Sequence, residues 1–174
     1  VNGVARGTLG CGPQGRARGV EAVVRRSLEA GMVAAGAFST NLNRVTIGNS
    51  HGLFQQHEST DANLNTVVMG DDTSGYADHT ARDAAEIDAD ALAQRAVRKA
   101  VAGRSPRTVD PGEWTVVLEE PAVNDMLDFF SGEGFSALTV QEGRSFMAGH
   151  LGERVMGENI TIWDDGLADD TKIG

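Results

Sequence analysis

The chain has 174 residues, with 25 Asp+Glu against 15 Lys+Arg and a net charge of −10. That length can bury a core of ordinary size, and the negative charge opposes the phosphate attraction behind nucleic-acid binding and contact with anionic membranes. Hydrophobic residues at 40% and charged residues at 23% are globular proportions, while 22 glycines exceed the usual ~7% and imply frequent turns.

Residues 1–17 are Gly-rich, lack apolar periodicity and are expected to be flexible. From Arg18 to Ala35, Val20, Val23, Val24, Leu28 and Met32 fall on one helical face, with Gly31 and Gly36 marking its end. The period then shortens. Ala37 to Leu42, Asn43 to Gly48, Gly52 to Glu58, Leu64 to Met69 and Gly75 to Ala81 read as short strands. Turns are expected at Asn41-Leu42-Asn43, Gly48-Asn49-Ser50-His51-Gly52, Ser59-Thr60-Asp61 and Gly70-Asp71-Asp72, giving an antiparallel meander.

A second helix is expected from an Asp88 N-cap to about Ala102, with Leu92, Ala96 and Ala100 on one face and Gly103 and Pro106 beyond its end. Trp114 to Leu118 reads as a strand, and Pro121 suits the first turn of a following helix bearing Met126, Leu127, Phe129 and Phe130. A Gly-broken helical region and a strand at Ile160 to Trp163 complete the pattern. The fold class is therefore α+β: helices on a mainly antiparallel meander, then a strand-helix-strand part.

The single cysteine, Cys11, has no internal disulfide partner, and no apolar run approaches ~18 residues. These features suit a reducing, cytoplasmic setting without a membrane span. A start at Val1 without Met and an end at Lys172-Ile173-Gly174 suggest part of a longer protein.

Chemistry is sparse. Gly10-Cys11-Gly12-Pro13-Gln14-Gly15 matches G-x-G-x-x-G, but no convincing strand precedes it and Pro13 removes a donor, so a turn is expected rather than a dinucleotide site. His51, His57, His79 and His150 lack the i, i+4 spacing of a helical zinc pair, and His51 and His57 are too far apart along a strand to share a metal. No metal site is expected. Asp71-Asp72, Asp164-Asp165-Gly166 and the acids Asp83, Glu86, Asp88 and Asp90 suit solvated turns and helix caps. Glu119-Glu120 reads as a polar strand end whose carboxylates face opposite ways. Ser27, Ser50, Ser105 and Ser145 lack a nucleophile elbow, so no catalytic residue is assigned.

Several longer stretches carry a resemblance. Gly143 to Val155, containing Gly149-His150-Leu151-Gly152-Glu153-Arg154-Val155, followed by Asn159 to Gly166, resembles the G-x-x-G-E-x-V run and following T-I-x-D-D strand of the TldD/PmbA family. The hairpin Val45 to Gly52 and the passage Trp114 to Leu127 are also similar to that family. These proteins have been described as modulators of DNA gyrase and understood as a two-subunit peptidase. The resemblance covers residues 18–174 and implies a later C-terminal β-rich region absent from this chain.

In the TldD-like subunit an H-E-x-x-x-H helix and a cysteine hold zinc, and the glutamate activates water. Here the corresponding stretch is Glu119-Glu120-Pro121-Ala122-Val123-Asn124-Asp125-Met126-Leu127, without either histidine. The resemblance therefore points to the PmbA (TldE-like) subunit, non-catalytic alone, with no cofactor in this chain and zinc in a TldD-like partner. It implies a dimer, with that partner or a second copy, enclosing unfolded peptide substrate. Asn49, Ser50 and Gly52 are the candidate peptide-binding residues, alongside a plain hairpin-turn role. Gly143, Gly149 and Gly152 are expected to serve turns or packing. An autonomous peptidase with an unrecognised site, and a protein-binding regulator linked to DNA gyrase, are the alternative functions.

Overall fold

The computed structural model describes residues 3–165, which divide into two units at Val109/Asp110. In the first unit, α1 (Arg6–Gly10) and α2 (Pro13–Glu29) precede three strands, β1 (Val33–Gly48), β2 (Phe54–Met69) and β3 (Ser74–Ala81). A single 3-10 turn at Ala84–Glu86 and α3 (Ala89–Ala102) follow. The strands form one antiparallel meander in the order β1-β2-β3. The α+β expectation holds for this unit.

Alternation builds the core. Along β2, Thr60, Ala62, Leu64, Thr66 and Val68 are buried while their neighbours are partly exposed, as one covered sheet face requires. Phe38 lies opposite Leu64, and Ala77 opposite Thr66. Val23 of α2 and Leu92, Ala93, Ala96 and Ala100 of α3 pack with Leu64, Val68 and Ala77. Small residues on α3 allow a close approach to β3. A Cβ at Gly75 would stand 2.0 Å from the Ala96 carbonyl oxygen and 2.5 Å from the Ala100 nitrogen.

The helix boundaries have local causes. Gly12 and Pro13 open α2, so helix begins inside the segment expected to be unpatterned; Pro13 has no N–H to leave unsatisfied in the first turn. The helix ends before Ala35, because Gly31 adopts φ +69° and turns Met32 back, its N–H donating to the Ser27 carbonyl. Residues 33–35 are therefore strand. Asp88 caps α3 by accepting from Ala91 N at 3.0 Å, and Gly103 closes it, as expected.

The meander has three strands rather than five, two of them 16 residues long. The turns expected at Asn41-Leu42-Asn43 and Ser59-Thr60-Asp61 do not form. Instead, Asp61 accepts from the Asn41 and Asn43 side-chain amides at 2.7 and 2.8 Å across the β1/β2 pair. Thr60 N donates to the Gly3 carbonyl, and the Thr60 hydroxyl donates to the Arg82 carbonyl at 3.0 Å. Polar residues that read as turn formers are thus spent on cross-strand bonds. The turns at residues 49–53 and 70–73 form as expected, the latter closed by Gly70 N donating to the Thr73 carbonyl.

In the second unit, α4 (Glu120–Glu133) and α5 (Ala137–Gln141) are the regular elements among the described residues. The expected strands at 114–118 and 160–163 are absent. Among the described residues their β-branched and aromatic side chains have no neighbouring strand to pair with, and Val117 is 96% exposed. Phe130, Phe135 and Phe146 form an aromatic cluster with ring centroids 5.8–5.9 Å apart. Ser145 ties this cluster to the backbone: its hydroxyl donates to the Gly134 carbonyl and accepts from Met147 N at 3.0 Å. Gly166 and the segment 172–174 lie outside the described residues.

Candidate functional site

The three candidate peptide-binding residues come together at the tip of the β1/β2 hairpin. Beyond the part of β2 that β3 covers, β1 and β2 continue as a two-stranded ribbon, pairing Asn41↔Asp61 through Gly48↔Phe54. Arg44 and Glu58 form an ion pair across it. Asn49 organises the end: its side-chain oxygen accepts from His51 N at 3.0 Å and Leu53 N at 3.2 Å, while its own N–H donates to the Leu53 carbonyl. Gly52 has φ +86°, a left-handed conformation that suits glycine. Asn49 and Gly52 therefore have turn-forming roles, and Ser50 lies exposed between them.

The histidines are dispersed. His51 is on the hairpin loop, His57 pairs with Val45 within β2, and His79 lies opposite Leu64 in β3. In the second unit, His150 Nδ1 is 2.9 Å from a Glu153 carboxylate oxygen. Among the described residues no group of three or more His, Cys, Asp or Glu side chains could hold a metal ion, and the residues present do not fit a zinc centre.

The segment 119–127 differs from its expected local structure. Glu119 is the N-cap of α4, and Glu120 lies in its first turn rather than at a strand end. Pro121 occupies the first helical turn, as expected. The helix reads Glu-Pro-Ala-Val-Asn-Asp-Met-Leu-Asp-Phe-Phe-Ser-Gly-Glu, with no histidine or cysteine. Its residues are exposed apart from partial burial at Pro121 and Phe130.

The other candidate groups have structural partners. Gly10 ends α1 and Gly12 caps α2, so a short helix, not a strand, precedes the glycine-rich turn. Arg16 crosses that turn, donating to the Cys11 carbonyl and the Thr40 hydroxyl, both at 2.9 Å. Ser27 is buried and donates to the Val23 carbonyl. Asp72 accepts from Ser105 N, and Asp83 accepts from Ala85 N. Gly143, Gly149 and Gly152 have φ of +72°, +83° and +86°, which explains them as turn residues.

The largest electrostatic perturbation missed by sequence reasoning joins α2 to α3. Asp90 accepts from Arg26 Nε and Nη2 at 2.7 Å, from Arg25 at 2.9 Å and from Gln94 at 2.8 Å. The Arg26 hydrogen bonds dominate in lowering the Asp90 pKa to about 2. The same bonds raise the Arg26 guanidinium pKa. In the second unit, Glu142 and then Glu133 raise the pKa of Arg144. Arg25 and Arg26 lie more than 60 residues from Asp90 in sequence, so helical periodicity alone does not pair them.

The second unit also contains an apolar groove of about 670 Å³ whose walls include Leu127, Phe135, Met147, Ile162 and Trp163. Among the described residues no helix is long and apolar enough to cross a membrane.

Comparison with known proteins matches residues 15–104 to the PmbA/TldA metallopeptidase central domain and residues 111–174 to the PmbA/TldA metallopeptidase C-terminal domain. An uncharacterized protein from Methanocaldococcus jannaschii is 29% identical over 138 residues, covering 79% of this chain and 32% of that protein. A crystal structure from Thermotoga maritima MSB8, described as a candidate modulator of a DNA gyrase, aligns with TM-score 0.80 and 18% identity. That alignment covers 88% of this chain and 37% of the Thermotoga chain. The present chain thus spans about one third of the length of either protein. The central-domain match alone takes in more than half of the sequence, and the chain belongs to the TldD/PmbA family.

Proposed function

We propose that this chain is the PmbA/TldE-like, non-catalytic part of a two-subunit metallopeptidase, working with a zinc-bearing TldD-like partner. The observation carrying this reading is α4: where the family resemblance places an H-E-x-x-x-H helix, this helix has no histidine. Without two histidines and a glutamate at that spacing, the helix lacks the groups to hold zinc and activate water. The chain's role is then to complete the chamber around the partner's zinc and hold unfolded peptide, in a reducing, cytoplasmic setting.

Asn49, Ser50 and Gly52 are proposed to line part of that chamber. Their position at the end of an exposed ribbon supports this, since such a hairpin can reach a neighbouring subunit while strand edges offer main-chain hydrogen bonds to peptide. Asn49 sets the turn, leaving Ser50 as the exposed contact. The test is hydrolysis of an unfolded peptide by this chain alone, by the zinc-bearing partner alone and by the mixture. Activity that rises only on mixing is expected. Equal activity in the partner alone and the mixture would overturn the reading.

A further inference from the structure

The net charge of −10 is not spread evenly along the chain. Residues 1–109 carry 12 Lys+Arg against 11 Asp+Glu, whereas residues 110–165, in the second unit, carry two Arg against 12 Asp+Glu. About a third of the sequence thus holds a charge equal to that of the whole chain. The groove of about 670 Å³ in this unit has the volume of a ligand-sized cleft. Leu127, Phe135, Met147, Met156, Ile162 and Trp163 supply its apolar wall, and Trp163 is 76% exposed. Acidic groups border that wall. Asp164 lines the groove itself, and Glu158 and Asp165 flank the stretch 160–163 in sequence. On α4, Glu120 shares the face of Leu127 and Ser131, at i, i+7 and i+11. Of the two cations, Arg144 is paired with Glu133 at 2.6 Å and Glu142 at 2.7 Å, and Arg154 neighbours the wall residue Val155.

We infer that this groove binds a cationic amphipathic peptide segment, its apolar side chains seated in the cleft and its Lys or Arg side chains turned to the acidic rim. Apolar area and charge select that partner together. Two flexible methionines let the wall fit side chains of different shape. The surrounding negative potential draws cations toward the cleft and repels acidic segments. It also opposes the same face of a second copy, which brings another excess of carboxylates to the contact. A neutral apolar segment fills the cleft but leaves the like charges at its rim uncompensated. Binding here needs neither zinc nor a TldD-like partner, so its failure leaves the subunit assignment untouched.

Isothermal titration calorimetry of the full chain tests this with a synthetic Leu/Lys peptide, its Leu at i, i+3, i+4 and i+7, beside Leu/Glu and Ser/Lys peptides of the same pattern. The expected result is one Leu/Lys peptide per chain, bound with micromolar affinity that weakens ~10-fold or more between ~0.1 and ~1 M salt. Both control peptides should bind at least ~10-fold more weakly at low salt. Ile162→Lys and Trp163→Ala, at exposed wall positions, should each weaken Leu/Lys binding by a similar factor with unchanged circular dichroism. Equal binding of the Leu/Lys and Leu/Glu peptides would overturn the inference, as would equal binding of the Ser/Lys peptide or an affinity unchanged in both variants. No binding would overturn it too, and is the result expected if another segment of the chain or a second copy fills the groove.

Discussion

Gly75 and Asp90 show two ways in which one residue fixes the position of α3. At Gly75 the determinant is space: a methyl group would meet the backbone of Ala96 and Ala100 well inside contact distance. Gly75→Ala should cost about 1–3 kcal/mol in denaturant unfolding, the usual range for overpacking a rigid site. An unchanged unfolding midpoint would show that α3 does not approach β3 so closely. At Asp90 the determinant is charge. Its pKa falls from 3.8 to about 2 on folding, so its stabilising contribution is present above 3.8 and fades as pH falls toward 2. Wild type should melt above Asp90→Asn by a few degrees at neutral pH, and the gap should close across that acid window; a pH-independent gap would contradict the assigned ion pair. The sequence made Asn49 and Gly52 legible as turn residues because their role is local. Asn41, Asn43 and Asp61 were misread because their partners lie across the hairpin.

Among the elements, α3 was the most legible: its Asp88 cap, Leu92–Ala96–Ala100 stripe and Gly103 stop all act within the helix or on its adjoining face. The hairpin was harder to read because its uninterrupted length depends on cross-strand bonds. Asp61 links both Asn41 and Asn43, so Asp61→Ala should accelerate hydrogen exchange in the outer ribbon, residues 41–48 and 54–61, with little change in exchange within α3. Uniform acceleration across both would mean that the ribbon and core open together. The stretches 114–118 and 160–163 have strand-like composition, but strand formation also requires a neighbour. None pairs with them among the described residues.

For the whole molecule, the division at Val109/Asp110 falls between the two family matches, at 15–104 and 111–174. The sequence suggests one continuous portion from residue 18 onward, because Pro106, Pro111 and Gly112 in the stretch 104–113 suit a loop within a domain as well as a linker between two. The family resemblance was legible from several stretches together. The candidate site was less so, because the histidines carry no zinc spacing and the tip residues are equally suited to making a turn. As proposed above, the chain would contribute to a peptidase without holding zinc itself. The most direct measurement is zinc content per chain after purification in zinc-containing buffer and dialysis. The account predicts no stoichiometric zinc in this chain; one tightly held zinc per chain, accompanied by peptide hydrolysis without a partner, would contradict it.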